Sequence, residues 1–355
     1  MRSRMAVIFA LLTPLILMNL CLSSPTTGAS STAFSSSAQI STIIGQFSWA
    51  LAKNGSVSFA SVPGIASQLQ NAAASLPTNN PLTGTNCMAS SGSSTSANPC
   101  VYSHPTSKKL VVLFGDSHAQ QWLNTVASIA TARNWKLISL LRAGCGAAQS
   151  ASNPDAAYQA GSANCSKWRI ASLAWIKANH PYLILFSSDV NGLPWKTGKI
   201  QDQEASLASS LIADVGVAAK KHVVSIVDNV DANYAGFGSS GFPTNVCLSR
   251  NGVKSVYFKD AATATYQNDQ VDCYRVYSND VFDIPLATRN LVLAADKSAG
   301  ISVIDPRPWM CSTVPETGLC PPVIDGTLVY RDQSHLTATF TARLVTVMGN
   351  LLPSS

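Results

Sequence analysis

From Lys109 onward, short apolar runs alternate with longer amphipathic stretches. Leu110 to Phe114, Lys136 to Leu141, Tyr182 to Phe186, Val223 to Val227 and Ile301 to Ile304 are brief apolar runs of strand length,. Between and after them, apolar residues recur at helical spacing over Ala119 to Arg133, Ser166 to Ala178, Ala205 to Ala219, Pro285 to Ala299 and Leu336 to Leu352,. Strands that read as continuous apolar runs are buried on both faces, so the alternation predicts a parallel five-stranded sheet sandwiched between helices, an α/β chain. Upstream, Ile40, Ile43, Ile44 and Phe47, then Ile65, Leu69 and Ala72, fall at helical spacing, with Gly55 and Pro63-Gly64 interrupting,. Two short helices are expected there. Residues 24 to about 40 are a Ser/Thr/Ala run without apolar periodicity, which reads as a flexible spacer,. No internal repeat is visible. The stretch from Asn229 to Phe282 is long, polar and rich in aromatics, the profile of a functional insertion,.

At the N-terminus, Arg2 and Arg4 precede the uncharged segment Met5 to Leu22, followed by a small-residue site at Thr27-Gly28-Ala29,. A cleaved signal peptide and a single membrane anchor both fit. Either way the rest of the chain is expected outside the cytoplasm, secreted or anchored. The expected organisation is a signal or anchor over 1–29, a spacer with a short helical extension over 30–84, and one main α/β domain over 85–355.

Composition agrees with export. The 355 residues are 46% hydrophobic, ample for a core, but only 12% charged, about half of the roughly 25% usual in soluble domains. The net charge of +6 contains no basic run longer than Lys108-Lys109 or Lys220-Lys221, so nucleic-acid binding has no footprint,. Of nine cysteines, Cys21 lies in the apolar segment. The remaining eight, an even number in an exported chain, suggest disulfides between sequence neighbours: Cys87 with Cys100, Cys145 with Cys165, Cys247 with Cys273, and Cys311 with Cys320,. No C-x-x-C pair occurs, and five scattered histidines make no zinc spacing, so neither a metal nor a cofactor is expected,.

Chemistry enters with Gly115-Asp116-Ser117-His118, where the first strand hands over to the first helix. In open parallel sheets the ligand crevice lies at the carboxyl ends of the strands. Gly115 permits a sharp turn, and Asp116 can cap the helix or brace the loop. An ordinary helix cap explains this tetrapeptide equally well when it is taken alone. A serine nucleophile needs a base, and the base needs an acid to orient it. Tyr330-Arg331-Asp332-Gln333-Ser334-His335 offers both, with Asp332 and His335 three residues apart at the predicted opening of the last helix. There too a helix-capping Asp332 beside a surface histidine is a competing explanation. His104, His180 and His222 have ordinary surface settings, and His118 is expected to support the serine from behind.

These motifs resemble the SGNH (GDSL-like) hydrolase superfamily, whose triad runs Ser and then Asp-x-x-His near the C-terminus. With Gln120-Gln121-Trp122, Gly144-Cys145-Gly146 and Cys165-Ser166-Lys167-Trp168 added, the chain is similar to the SGNH domain commonly fused to family-three membrane acyltransferases, over about residues 85 to 352. The resemblance implies a flavodoxin-like three-layer α/β/α sandwich with Ser117 as nucleophile, His335 as general base and Asp332 as its orienting acid. It implies acetyl or other short-acyl chemistry on cell-envelope or exported saccharides. It also implies an oxyanion hole built from the Ser117 N–H, Gly144 and an asparagine after the third strand. Asn191 is the candidate, although Asn191-Gly192 equally suits a turn. The chain shows at most one span and so cannot by itself carry an acyl group across a membrane. A separate membrane acyltransferase is the implied donor if the reaction is transfer. The rival from another class is a non-catalytic glycan-binding module, with Trp195, Tyr234, Phe237, Tyr257 and Tyr274 as stacking surfaces,.

Overall fold

The computed structural model describes residues 32–54, 56–58, 87–89, 95–147, 162–189, 222–230, 254–256, 275–278, 284–312, 317–332 and 334–354, with a few single positions between 64 and 71. Helix α1 (Ser37–Asn54) comes first. Seven strands then form one sheet: β1 (Met88–Ala89), β2 (Cys100–Ser103), β3 (Leu110–Gly115), β4 (Lys136–Arg142), β5 (Leu183–Ser187), β6 (Val223–Ile226) and β7 (Ser302–Ile304). Helices α2 (Ser117–Gln120) and α3 (Leu123–Ala132) follow β3, and α4 (Ser162–Asn179) follows β4. Helix α5 (Ile284–Ala299) precedes β7, and α6 (Ala338–Arg343) and α7 (Val345–Gly349) close the chain.

The five expected strands are present and parallel, in the order β7-β6-β5-β3-β4. Two short strands not expected from the sequence share the outer edge of β4: β1 runs parallel to its end, with Met88 opposite Leu141, while β2 runs antiparallel to its start. Only two residues long in one case and irregular in the other, they lack the apolar run that reveals a strand. The Cys87–Cys100 disulfide ties them together. The pairs Cys145–Cys165 and Cys311–Cys320 also form, with Cα separations of 5.6 and 4.0 Å. Cys247 and Cys273 lie outside the described residues.

Side-chain alternation along the strands feeds two cores, as a sheet covered on both faces requires. Val111, Leu113, Leu137, Leu183, Leu185, Val224 and Ile226 point to one, which also buries Leu123, Val126 and Ile129 of α3, Phe340, Leu344 and Met348 from the C-terminal end, and Ile40 and Ile44 of α1. Val112, Phe114, Ile138, Leu140, Ile184 and Phe186 point to the other, against Trp168 and Ile176 of α4. The result is the expected α/β/α sandwich.

Several local expectations are corrected. The spacer ends earlier than the polar run suggested: Phe34 is fully buried, its N–H donates to the Arg343 carbonyl at 2.8 Å, and the Arg343 guanidinium lies 4.0 Å from its ring centre. In place of a first short helix, α1 runs for 18 residues and stops before Gly55. The helix predicted over Ala119 to Arg133 is two helices, because Gln121 and Trp122 turn inward and are buried. The last helix begins at Ala338 and breaks at Leu344. The helix predicted over Ala205 to Ala219, most of the insertion from Asn229 to Phe282 and the five candidate stacking aromatics lie outside the described residues. Among those described, no helix is long and apolar enough to cross a membrane.

Candidate active site

Strand β3 lies between β4 and β5; the chain runs from β3 to β4 on one side and from β5 to β6 on the other, so the connections diverge at the neighbouring ends of β3 and β5 and open a crevice there,. Gly115 makes the turn with φ of +146°. A Cβ at this position would sit 2.0 Å from the Ser187 carbonyl oxygen and 2.9 Å from the Ala119 Cβ. Only glycine permits that approach. Gly115→Ala is therefore expected to lower stability by about 3 kcal/mol or more, since backbone strain and overlap act together. A thermal melt within about 1 kcal/mol of wild type would contradict this.

Asp116 takes the N-cap position of α2, as anticipated. One carboxylate oxygen accepts from the His118 N–H at 2.8 Å and the other from the Asp189 N–H at 2.9 Å, so a single side chain joins the ends of β3 and β5. Burial pushes its pKa up to about 6, against the pull of the His118 charge and with a further push from Asp189,. Ser117 follows as the first residue of α2 and is half-buried.

The histidine loop is built differently from the expected helix opening. Tyr330 and Leu336 pair as an antiparallel bridge, and the Arg331 N–H donates to the His335 carbonyl at 2.9 Å. The cap of α6 is Thr337, whose hydroxyl accepts from the Phe340 N–H at 3.1 Å. Asp332 therefore does not cap a helix. Its carboxylate instead accepts from the N–H groups of Ser334 and His335 at 3.1 and 2.9 Å, and lies 2.9 and 3.0 Å from the His335 Nδ1. Arg331 binds its outer edge. Burial would raise this carboxyl, but the hydrogen bond and charge of His335 and the two backbone donors outweigh it and hold the pKa far below the usual carboxylate range,. With Nδ1 committed to Asp332, the Nε2 of His335 is buried and has no hydrogen-bond partner among the described residues.

His118, expected to act from behind the serine, is fully buried, and its ring packs against the His335 ring with centres 4.5 Å apart. Its Nδ1 is 2.5 Å from Asp228 at the end of β6, and Arg289 of α5 lies 3.9 Å from the same carboxylate. Burial disfavours the imidazolium, but Asp228, Asp189 and Asp116 together raise the His118 pKa well above its ordinary value,. His118, Asp189 and Asp228 are near enough for three ligand atoms to lie within 4.8 Å of one another. The short His118–Asp228 bond occupies one ligand atom of each, so the group reads as a buried ion pair. Gln121 and Asn229 form a second buried polar group: Gln121 Oε1 accepts from the Leu336 N–H at 2.8 Å, its Nε2 donates to Asn229 Oδ1 at 2.7 Å, and Asn229 Nδ2 donates to the Ser334 carbonyl at 2.7 Å.

On the far side of the crevice, Gly144 stands exposed in a left-handed turn with φ of +62° after β4. Gly146 is the buried glycine of that loop, where a Cβ would be 3.2 Å from Ser188 and 3.7 Å from the Asp116 carboxylate. The loop is pinned by the Cys145–Cys165 disulfide, by Arg169 donating to the Gly146 carbonyl at 3.0 Å, and by the Ala147 N–H donating to Ser188 Oγ at 2.8 Å. Asn191 lies outside the described residues. Asp228, Asn229 and Asp189 carry no candidate role in the sequence reading, and Gln121 enters it only as part of the motif that bears the family resemblance, with no role of its own. Asp228-Asn229 directly follows the fourth apolar run, so the rule that crevices form at the carboxyl ends of parallel strands contained the signal.

Residues 86–349 match the family model described as the SGNH domain (fused to AT3 domains). The chain belongs to this SGNH family. Its membership supports an esterase or acyltransferase. Among solved structures, the SGNH chain is similar to the periplasmic domain of a lipopolysaccharide acetyltransferase from Salmonella ser. Paratyphi A, at 13% identity and a TM-score of 0.47, over 70% of this chain and 84% of that one. No curated protein matches it in sequence.

Proposed function

We propose that the protein is an exported serine esterase or O-acyltransferase that acts on acylated saccharides of the cell envelope or of exported glycans, with Ser117, His335 and Asp332 as its triad. The observation that carries this reading is the Asp332–His335 pair, which commits Nδ1 and leaves a buried, unbonded Nε2 on a ring packed against the residue next to Ser117. In the proposed reaction Ser117 Oγ attacks the acyl carbonyl carbon while its proton passes to His335 Nε2. The tetrahedral oxyanion is held by the Ser117 N–H, with Gly144 and Asn191 as further candidate donors. Collapse breaks the bond to the saccharide oxygen, which takes the proton back from His335. Water or a second sugar hydroxyl then resolves the acyl-enzyme by the same steps in reverse. In the transfer case a separate membrane acyltransferase presents the acyl group: the first collapse then breaks the bond to that donor's acyl-bearing atom, which takes the proton from His335, and a saccharide hydroxyl resolves the acyl-enzyme.

A fluorophosphonate probe is expected to label wild-type protein at Ser117 and to leave Ser117→Ala unlabelled. Acyl release from p-nitrophenyl acetate, measured with and without sugar acceptors, separates hydrolysis from transfer. Full labelling of Ser117→Ala would remove the serine from the reaction.

A further inference from the structure

The nucleophile and the base lie more than two hundred residues apart in the chain, and the buried amides of Gln121 and Asn229 connect their two segments. The Gln121 N–H donates to the Ser117 carbonyl at 3.1 Å, while its side-chain oxygen accepts from the Leu336 N–H. One residue therefore reaches from the peptide of the serine to the peptide after His335. Asn229, at the end of β6, holds the peptide before His335 by donating to the Ser334 carbonyl, and its oxygen accepts from Gln121. Both side chains are almost completely buried. We infer that Gln121 and Asn229 are positioning residues that set His335 against Ser117 by clamping the peptide groups on either side of the histidine. This rests on the reading of His335 as general base.

The chemistry of the clamp is specific. The Leu336 N–H needs an acceptor and the Ser334 carbonyl needs a donor, and only groups with one of each can pass the bond from one to the other. A carboxylate at either position would lose a donor. An apolar side chain would leave buried peptide groups without partners. Asp332 holds the His335 ring from within its own loop, so it can orient the ring but cannot fix the distance from that loop to the serine. Gln121 and Asn229 span that distance. Misplacement by about 1 Å costs on the order of 100-fold in rate, so loosening the clamp should affect turnover before it affects binding.

The experiment uses the full chain in the variants Gln121→Met, Asn229→Leu and the pair combined. Each is checked for folding by circular dichroism, then assayed for p-nitrophenyl acetate turnover and for the rate of fluorophosphonate labelling. Each single variant is expected to lose about 10- to 100-fold in kcat and in labelling rate, with KM changed less than about twofold. The double variant should be no more than about threefold slower than the worse single variant, because the two amides act as one unit. Should the apolar variants fail to fold, Asn229→Ser and Gln121→Glu carry the test: the first keeps the Gln121–Leu336 bond, the second keeps the Leu336 acceptor but replaces the donor to Asn229. Folded variants that keep kcat within twofold of wild type would overturn the clamp, as would losses that multiply in the double variant. If Ser117→Ala itself retains turnover, the underlying reading fails and the inference falls with it.

Discussion

Replacing His335 by Ala is expected to lower ester turnover by on the order of 1,000-fold or more, and Ser117→Ala to do the same, because each removes an atom on which the proposed acyl-enzyme formation depends. Asp332→Asn should lose turnover too, without unfolding the protein. Its carboxylate fixes Nδ1 of His335 and, in the proposed reaction, would stabilise the imidazolium, but its bonds to the backbone of Ser334 and His335 need only one oxygen, which an amide also supplies. Combining Ser117→Ala with His335→Ala should add little to either, since the two act in one step. The competing explanation, a capping aspartate beside a surface histidine, predicts stability effects in place of kinetic ones. It fits the structure poorly, because Thr337 caps the helix. Melting temperature and turnover measured together on the three variants separate the explanations: near-wild-type turnover in His335→Ala would end the catalytic assignment of this loop.

Much of the fold was legible because its signals are local. Each parallel strand is an apolar run buried on both faces, and Leu110 to Gly115 reads as one without any tertiary information. The three neighbouring cysteine pairs within the described residues form because short loops between them keep the partners close. Elements that failed to show themselves depend on distant partners. The β1 and β2 strands exist because β4 offers an open edge and a disulfide holds both there. Phe34 is buried because Arg343, some three hundred residues on, completes its pocket. The break between α2 and α3 follows from the inward turn of Gln121 and Trp122, which helical periodicity cannot foresee.

The candidate site divides in the same way. Ser117, Asp332 and His335 stand out because a sharp glycine turn and an Asp-x-x-His spacing are sequence patterns in their own right. The residues that support them are single polar letters at strand ends or helix starts: Asp228 and Asn229 after β6, Asp189 after β5, and Gln121 beyond α2. Nothing local distinguishes such residues from turn formers. Their meaning comes from the convergence of β3, β5, β6 and the His335 loop at one crevice, where Asp116, His118, Gln121 and Asn229 each meet a partner from another element. His118 was the intermediate case: its place beside the serine marked it, but its partners Asp228 and Arg289 were invisible until the sheet order was known.

Those partners lead to the second large expected effect. Asp228 is completely buried between the His118 ring and Arg289, so Asp228→Asn leaves two cationic side chains in the interior without their shared counter-charge. Breaking a buried pair from one side costs about 3 to 5 kcal/mol, which should lower Tm by on the order of 10 °C. The pH dependence has a definite sign. The folded protein raises the His118 pKa above its ordinary value near 6.5, so it binds the His118 proton more tightly than the unfolded chain does. The stabilisation from the pair is therefore complete below about pH 6.5 and is lost as pH rises through the higher folded value. In Asp228→Asn that advantage shrinks, because the strongest attraction on the imidazolium is gone. The gap in stability between wild type and variant should accordingly be wide at about pH 6 and narrow on the alkaline side of the folded His118 titration. Chemical denaturation of both proteins across that range is the measurement, with His118→Asn as the control in which the pH-dependent part of the gap should vanish. A gap that stays constant with pH would mean that Asp228 stabilises the fold through Arg289 alone and that His118 is not the charged partner.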